Sequence, residues 1–326
     1  MKTSPIVIFS LILITQLASR STISAHENQD SQVQSFKVLI LSTMLAESGI
    51  GEWGFSALVE ADGHQILFDT GKYPDTVLRN ARELDVDLSN VTDVVLSHQH
   101  GDHIGGLLKL RQELSQKNDD AISRVHIAKG FFEIRRSRSD TARSWSKLQM
   151  KAEFEQLGGV FIEHDTPTEL LPGVWLTGPV VRLHPERNWG GNSQIKTSMG
   201  WEEDSIPESQ SLIANTNQGL VVLSGCGHAG IVNTMEYARN TILDSPVYAV
   251  LGGFHLLSAS DEHLKWTATK FRELGVQHFL GAHCTGIEAV YQIRLQAGLL
   301  RKNCVVGAVG ASFNLSSGID PLRLAR

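Results

Sequence analysis

Apolar runs and polar breaks alternate along the first third of the chain and predict strands and helices in turn. Residues 36–41 (FKVLIL) and 56–68 (SALVEADGHQILF) are apolar and rich in strand formers. The second run is broken by Asp62-Gly63, a pair that accepts the positive φ of a tight hairpin turn. Residues 74–84 (PDTVLRNAREL) carry helical apolar spacing, with Pro74 at a first-turn position where a missing N–H is tolerated. Residues 91–96 (VTDVVL) read as a buried strand that runs into His98-Gln99-His100-Gly101-Asp102-His103.

Beyond that cluster the pattern predicts a helix over 104–114 and a strand over 124–128. Residues 131–157 are polar, basic and helix-compatible without a strong core face, which suggests a lid; Arg135-Arg136 and Arg138 fit a solvated helix face there better than a phosphate site. Strands are expected near 160–163, 174–177, 211–215 and 220–224, punctuated by Gly and Pro. The chain then closes with a strand at 247–251, a helix at 261–274, a strand at 276–280 and a helix at 286–299. Hairpins early and strand–helix alternation throughout fit two sheets packed face to face with helices outside. No repeat of fixed period and no separating linker is visible.

Composition sharpens this at the N-terminus. Of 326 residues 41% are hydrophobic and 20% charged, ordinary for a chain with a core. Lys2, the apolar run 6–17 (IVIFSLILITQL) and Ser24-Ala25 have the order of a cleaved secretory signal, so residues 1–25 are expected to be removed and the protein to be periplasmic or secreted. The run is shorter than the roughly 20 residues of a membrane span, so no stable membrane insertion is expected after cleavage. Loss of Lys2 and Arg20 takes the net charge from −6 to −8, which argues against nucleic acid as a partner and leaves a small molecule. Cys226, Cys284 and Cys304 are an odd number for an oxidising compartment; Cys284 is left either to touch the site or to pair with Cys304.

The chemistry concentrates at the end of the 91–96 strand. Residues two apart on an extended stretch point the same way, so His98 and His100 can grip one ion. The turn at Gly101 swings Asp102 and His103 to a neighbouring position, where carboxylate and imidazole suit a second zinc-like ion. Neither Gly49-Ile50-Gly51 nor Gly105-Gly106 has phosphate-loop spacing.

This HxHxDH segment, following a strand that ends in Asp69-Thr70-Gly71, resembles the metallo-β-lactamase superfamily from about residue 36 to the C-terminus. Within it, Gly54-Phe55-Ser56, Ser224-Gly225-Cys226-Gly227-His228-Ala229-Gly230, Gly252-Gly253-Phe254-His255-Leu256 and His283-Cys284-Thr285-Gly286 resemble the branch of metal-dependent hydrolases and dihydropterin ribofuranosylaminobenzene-phosphate synthase-like proteins. The resemblance implies an α+β fold, an αββα sandwich of two packed mixed sheets with helices on the outer faces, over a single domain at 36–326.

It also implies two zinc ions and a metal-activated hydroxide acting on a small ester, lactone, phosphoester or related bond. A pterin-linked synthase-like transferase and a non-catalytic metal-binding protein of the same fold are the alternatives. His228 is the expected remaining ligand of the first ion and His283 of the second. Cys226 occupies the region of the superfamily's bridging aspartate, which leaves open a thiolate ligand, a bridge, or a single tightly held ion. Asp102 is expected to orient the nucleophile and pass a proton. His255 is expected to contact substrate or orient a ligand, with a structural role left open. Asp69 either orients a ligand histidine or is a turn aspartate. Trp189, in a Gly-rich loop, and Trp201 are either substrate walls or packing residues.

Overall fold

The computed structural model describes residue 1 and residues 31–324; the expected signal segment lies outside the described residues. β1 (Phe36–Ser42), β2 (Ser56–Ala61) and β3 (His64–Phe68) pair antiparallel. The β2–β3 turn is Asp62-Gly63, with φ of 46° and 84°, as a two-residue hairpin requires. α1 (Thr76–Glu83) returns the chain to β4 (Asp93–Val95), which lies parallel to β3 and is followed in parallel by β5 (Arg124–Ala128).

Between β4 and β5 the helix expected over 104–114 is displaced and split into α2 (Gly101–Ile104) and α3 (Leu107–Leu114). The break falls at Gly105-Gly106, where the chain presses against the Lys72 and Thr70 carbonyl oxygens so closely that a Cβ would meet them at 1.8 and 2.3 Å. Backbone contact there sets the angle at which the histidine cluster leaves the sheet.

Residues 131–157 correct the expected helical lid. They begin with β6 (Arg135–Ser137) and β7 (Ser144–Trp145) and become helical only at α4 (Leu148–Gln156). The basic cluster is no solvated helix face either. The Arg135 guanidinium is fully buried, with Nε 3.2 Å from Asp204 Oδ2 and Nη2 2.6 Å from Glu208 Oε2, and Arg136 stacks over Trp201 at 4.2 Å.

β8 (Val160–His164), β9 (Thr168–Leu171) and β10 (Val174–Leu176) follow, then the hairpin β11 (Ser193–Thr197) and β12 (Gly200–Glu203). β13 (Ser211–Thr216) pairs antiparallel with β14 (Gly219–Ser224). The chain continues through α5 (Ile231–Thr241), β15 (Val247–Gly252), α6 (Asp261–Leu274), β16 (His278–Gly281), α7 (Ile287–Ala297), β17 (Cys304–Val306), β18 (Ser312–Asn314) and β19 (Gly318–Asp320).

These strands build an eight-stranded sheet in the order β19-β18-β1-β2-β3-β4-β5-β8 and a seven-stranded sheet in the order β17-β16-β15-β14-β13-β10-β9; β12-β11-β6-β7 form a small third sheet. Both large sheets are mixed. Strand alternation sorts their side chains into layers. Phe36, Val38 and Ile40 of β1 meet Val221 and Leu223 of β14 in the core between the sheets. Leu41 of β1 turns to the opposite face and packs with Val77 of α1, Leu110 of α3 and Phe154 of α4. Leu220 and Val222 of β14 meet Met235 of α5, Phe271 of α6 and Ile293 of α7. This is the expected αββα sandwich. Among the described residues no helix is long and apolar enough to cross a membrane.

Candidate metal centre

The residues singled out for chemistry all follow the carboxyl ends of parallel-paired strands: His98–His103 leave β4, Cys226 and His228 leave β14, His255 leaves β15 and His283 leaves β16. Ends of parallel strands leave backbone groups and loops free on one edge, which is where α/β architectures collect their sites. The donor atoms of His98, His100 and His228 lie within 4.8 Å of one another, as do those of Asp102, His103 and His283. All six expected donors are therefore brought together, in two trios.

Hydrogen bonds set which nitrogen each ring presents. Ser97 Oγ donates to Asp69 Oδ2 (2.7 Å), so its 2.9 Å contact with His98 Nδ1 has the ring as donor. His103 Nδ1 donates to Asp69 Oδ2 at 2.7 Å, and His228 Nδ1 donates to the Asn188 carbonyl oxygen. In His98 and His228 the lone pair is left on Nε2, and His103 presents its own on Nε2 once the ring is neutral. His98 Nε2 and His228 Nε2 are buried without a hydrogen-bond partner. Buried polar atoms are nearly always satisfied, so two bare imidazole nitrogens facing one space fit an ion better than a packed core. Imidazole, carboxylate and a nearby thiol are a donor set for a zinc-like divalent ion.

Asp69, at φ 56° in the left-handed region, also accepts the Ser97 N–H at 2.7 Å. Of the two roles left open for Asp69, contact with the His103 ring is the one observed. His283, at φ 47°, donates its backbone N–H to Thr43 Oγ1 (2.9 Å) and brings Nε2 to 3.3 Å from Asp102 Oδ2. Non-glycine residues held at positive φ cluster where a site over-determines the backbone.

Charge follows the same division. Burial, then the neighbouring imidazoles led by His103, push His98 well below its ordinary value; burial, then His100 and His255, does the same to His228. Burial likewise takes His100 down to about 4. Burial acts against His103 too, but Asp69, by charge and hydrogen bond, together with Asp102 and Cys284 outweighs it and raises the ring to about 8. For Asp102 the burial penalty is overcome by the hydrogen bond from His283 and the charge of His103, which hold the carboxyl far below its usual range.

The cysteines part company. Cys226 Sγ lies 3.1 Å from His103 Nε2 and 3.2 Å from Cys284 Sγ, while Cys304 sits in the outer helical layer with its Sγ donating to the Val290 carbonyl oxygen at 3.6 Å. Of the two fates open to Cys284, contact with the site is the one observed; all three thiols are free. The His255 N–H donates to Cys284 Sγ (3.2 Å), and its half-buried ring lies 4.9 Å from that of His228. His255 also lines a cavity of about 310 Å³ with Arg187, Asn188, Trp189, Ser258 and His263. Trp189 thus forms a wall of this cavity, its Nε1 donating to Glu203 (2.8 Å), whereas Trp201 packs beneath Arg136.

Several site residues escaped the sequence reading. Ser97 and Asn188 orient ring nitrogens, and Trp53, 43% exposed, stands with its ring 5.0 Å from that of His283. Ser97 abuts the histidine cluster and could have been found by adjacency. Trp53 and Asn188 are brought in by loops that no local pattern connects to it.

The Metallo-beta-lactamase superfamily profile matches residues 54–170. The chain is 29% identical over 273 residues to a 7,8-dihydropterin-6-methyl-4-(beta-D-ribofuranosyl)-aminobenzene-5'-phosphate synthase of Methanocaldococcus jannaschii, covering 79% of this chain and 90% of that protein. It superposes on the crystal structure of Tm1679, a metal-dependent hydrolase of the beta-lactamase superfamily, with a TM-score of 0.68 and 30% identity over 85% of this chain and 98% of that one. Zinc-bound PqqB from Methylobacterium extorquens shares the fold at a TM-score of 0.53 and 13% identity, over 86% of this chain and all of PqqB. With a full-length relative at this identity and the strand-end cluster in place, the chain belongs to the metallo-β-lactamase superfamily.

Proposed function

We propose that this protein is a metal-dependent hydrolase that holds two zinc ions, His98, His100 and His228 around one and Asp102, His103 and His283 around the other. The observation that carries the reading is the pair of buried, unpartnered nitrogens His98 Nε2 and His228 Nε2, each presented by a hydrogen bond to the far side of its ring. Divalent ions there would polarise a carbonyl or phosphoryl oxygen and acidify a water from about 15.7 toward about 7.

The chain's own groups do the rest. Asp102 stays ionised and keeps 19% of its side chain accessible, so it can orient the attacking water and carry a proton to the leaving group. His255 stands on the cavity side of His228, where its ring can hydrogen-bond to a bound ester, lactone or phosphoester. Trp189 and Arg187, the latter ion-paired with Glu203, line the same cavity and could form walls for a small substrate. In the same reading the chain is exported, supported by the basic, apolar and small-residue order of residues 1–25.

A transferase is the second reading, favoured by the synthase relative, whose length this chain covers to 90%. Metal content measured alongside turnover of a panel of esters, lactones, phosphomonoesters and phosphodiesters, with reduced-pterin substrates in parallel, separates the two. Hydrolysis of a panel member that stops on chelation and in His100→Ala supports the hydrolase; a metal-loaded protein that turns over only the pterin substrates overturns it.

A further inference from the structure

α7 is apolar on two opposite faces. Ala289, Val290, Ile293 and Ala297 are buried in the outer layer of the seven-stranded sheet. Ile287, Tyr291 and Leu295, at helical spacing on the other side, form one outward stripe and are 57, 47 and 58% exposed. α5 and α6 cover the same sheet and carry no exposed large hydrophobic among the described residues. Single exposed apolar residues need no explanation, but an aligned stripe on a helix already packed on its other face marks an interaction surface.

The patch continues past both ends of the helix. Leu257, 51% exposed, lies against its start, with its Cα 2.9 Å from where a Cβ on Gly286 would stand, and Leu300, 62% exposed, follows the cap at Gly298. Beside the stripe, Ile287, Tyr291 and Arg294 form one wall of a groove of about 370 Å³ whose other wall includes Leu45, Val306 and Leu324.

What fits this surface is written into its symmetry. Ile287 and Leu295 stand at equal distances either side of Tyr291, and so do Glu288 and Arg294. Laid antiparallel on its own copy about a two-fold axis at Tyr291, the helix sets Ile287 against Leu295 and Glu288 against Arg294, each pair occurring twice. Parallel in-register pairing would instead set Glu288 against Glu288. Within its own chain Glu288 accepts a hydrogen bond from Gln292 Nε2 (2.8 Å) and Arg294 lies over the Tyr291 ring (5.0 Å); no ion pair of either is seen among the described residues. Both charges are available to a second copy.

We propose that this chain self-associates as a two-fold dimer through antiparallel α7 helices, with Leu257 of one copy beside the Leu300 end of the other. The proposal is independent of the metal reading, although the interface borders the same edge, because His283–Thr285 lead directly into α7. A helix pair about 16 Å long with these flanks falls toward the small end of specific interfaces, at or below about 1,200 Å² in total, so the expected affinity is micromolar.

Sedimentation equilibrium of the folded chain tests this, with circular dichroism confirming the fold of each variant. A micromolar monomer–dimer equilibrium that is weakened about tenfold or more in Leu295→Glu and in Glu288→Arg, and restored when Arg294→Glu is added to Glu288→Arg, supports the proposal. So does a disulfide-linked dimer of Tyr291→Cys under mild oxidation, which the buried native thiols cannot form. A wild type that stays monomeric up to about 100 μM, a dimer unchanged by Leu295→Glu, or a Glu288→Arg defect that Arg294→Glu does not repair overturns it. Should Leu295→Glu not fold, the charge exchange between the exposed Glu288 and Arg294 decides alone.

Discussion

Asp69 shows how much a single carboxylate can organise. It accepts the Ser97 N–H and Oγ and the His103 Nδ1–H, so it sets one imidazole of the second trio directly and one of the first through Ser97. It is also the leading cause that holds His103 up at about 8 against its burial. At pH 7 that ring carries a proton which a metal ion has to displace, so apparent metal affinity is expected to climb as pH rises from 7 through about 8 and to level off above. Asp69→Asn keeps a residue that tolerates positive φ but removes the charge; it should weaken metal binding by about 10–100-fold and move the pH dependence to lower pH. Competition with a chromogenic chelator across pH measures both. Identical pH profiles in wild type and variant would dissociate Asp69 from the centre.

At this scale the sequence was readable where chemistry is local. His98 to His103 declare themselves because six consecutive residues carry four donors after a strand, and His228 and His283 because each ends a strand. Arg135 was misread because a basic cluster is normally solvated, and the acids that bury it, Asp204 and Glu208, lie some seventy residues on. The contact of Cys226 with His103 and Cys284 is equally a product of tertiary approach.

Among the elements, the ends of the parallel-paired strands β4, β14, β15 and β16 do the positioning. The β14 turn passes so close to the β3 and β4 ends that a Cβ on Gly225 would meet Ser97 Oγ at 2.1 Å and Asp69 Oδ2 at 2.3 Å. Gly225→Ala is therefore expected to cost about 1–3 kcal/mol of stability and, by pushing the Asp69–Ser97 pair aside, to weaken metal binding more than a remote core substitution of equal cost. Urea unfolding together with metal titration tests this; unchanged affinity at reduced stability would confine the effect to packing. β1–β3, α6 and α7 were predictable because their periodicity is strong. α5 was not anticipated: its sequence, Ile231-Val232-Asn233-Thr234, starts with residues of middling helix propensity and forms a helix because its apolar face packs on β14. The short strand β18 owes its existence to β1, far away in sequence, and β19 to the hairpin it then forms with β18.

For the molecule as a whole, the two trios have a shared composition. His98 and His100 come from the eight-stranded sheet and His228 from the seven-stranded one; Asp102 and His103 come from the first and His283 from the second. Each ion would therefore be a rivet through both leaves of the sandwich at one edge, joining chain segments more than a hundred residues apart. Since such an ion binds the folded chain and not the unfolded one, a hundredfold excess over Kd stabilises by about 2.7 kcal/mol. Chelation should lower Tm by several degrees and readdition of zinc should restore it, as scanning calorimetry can follow; a Tm indifferent to metal would mean that the leaves are clamped by their core alone. Because the rivets sit where the loops of both sheets meet, demetallated protein should open first at that edge, making metal supply a determinant of how long the folded chain survives proteolysis as well as of its catalytic competence.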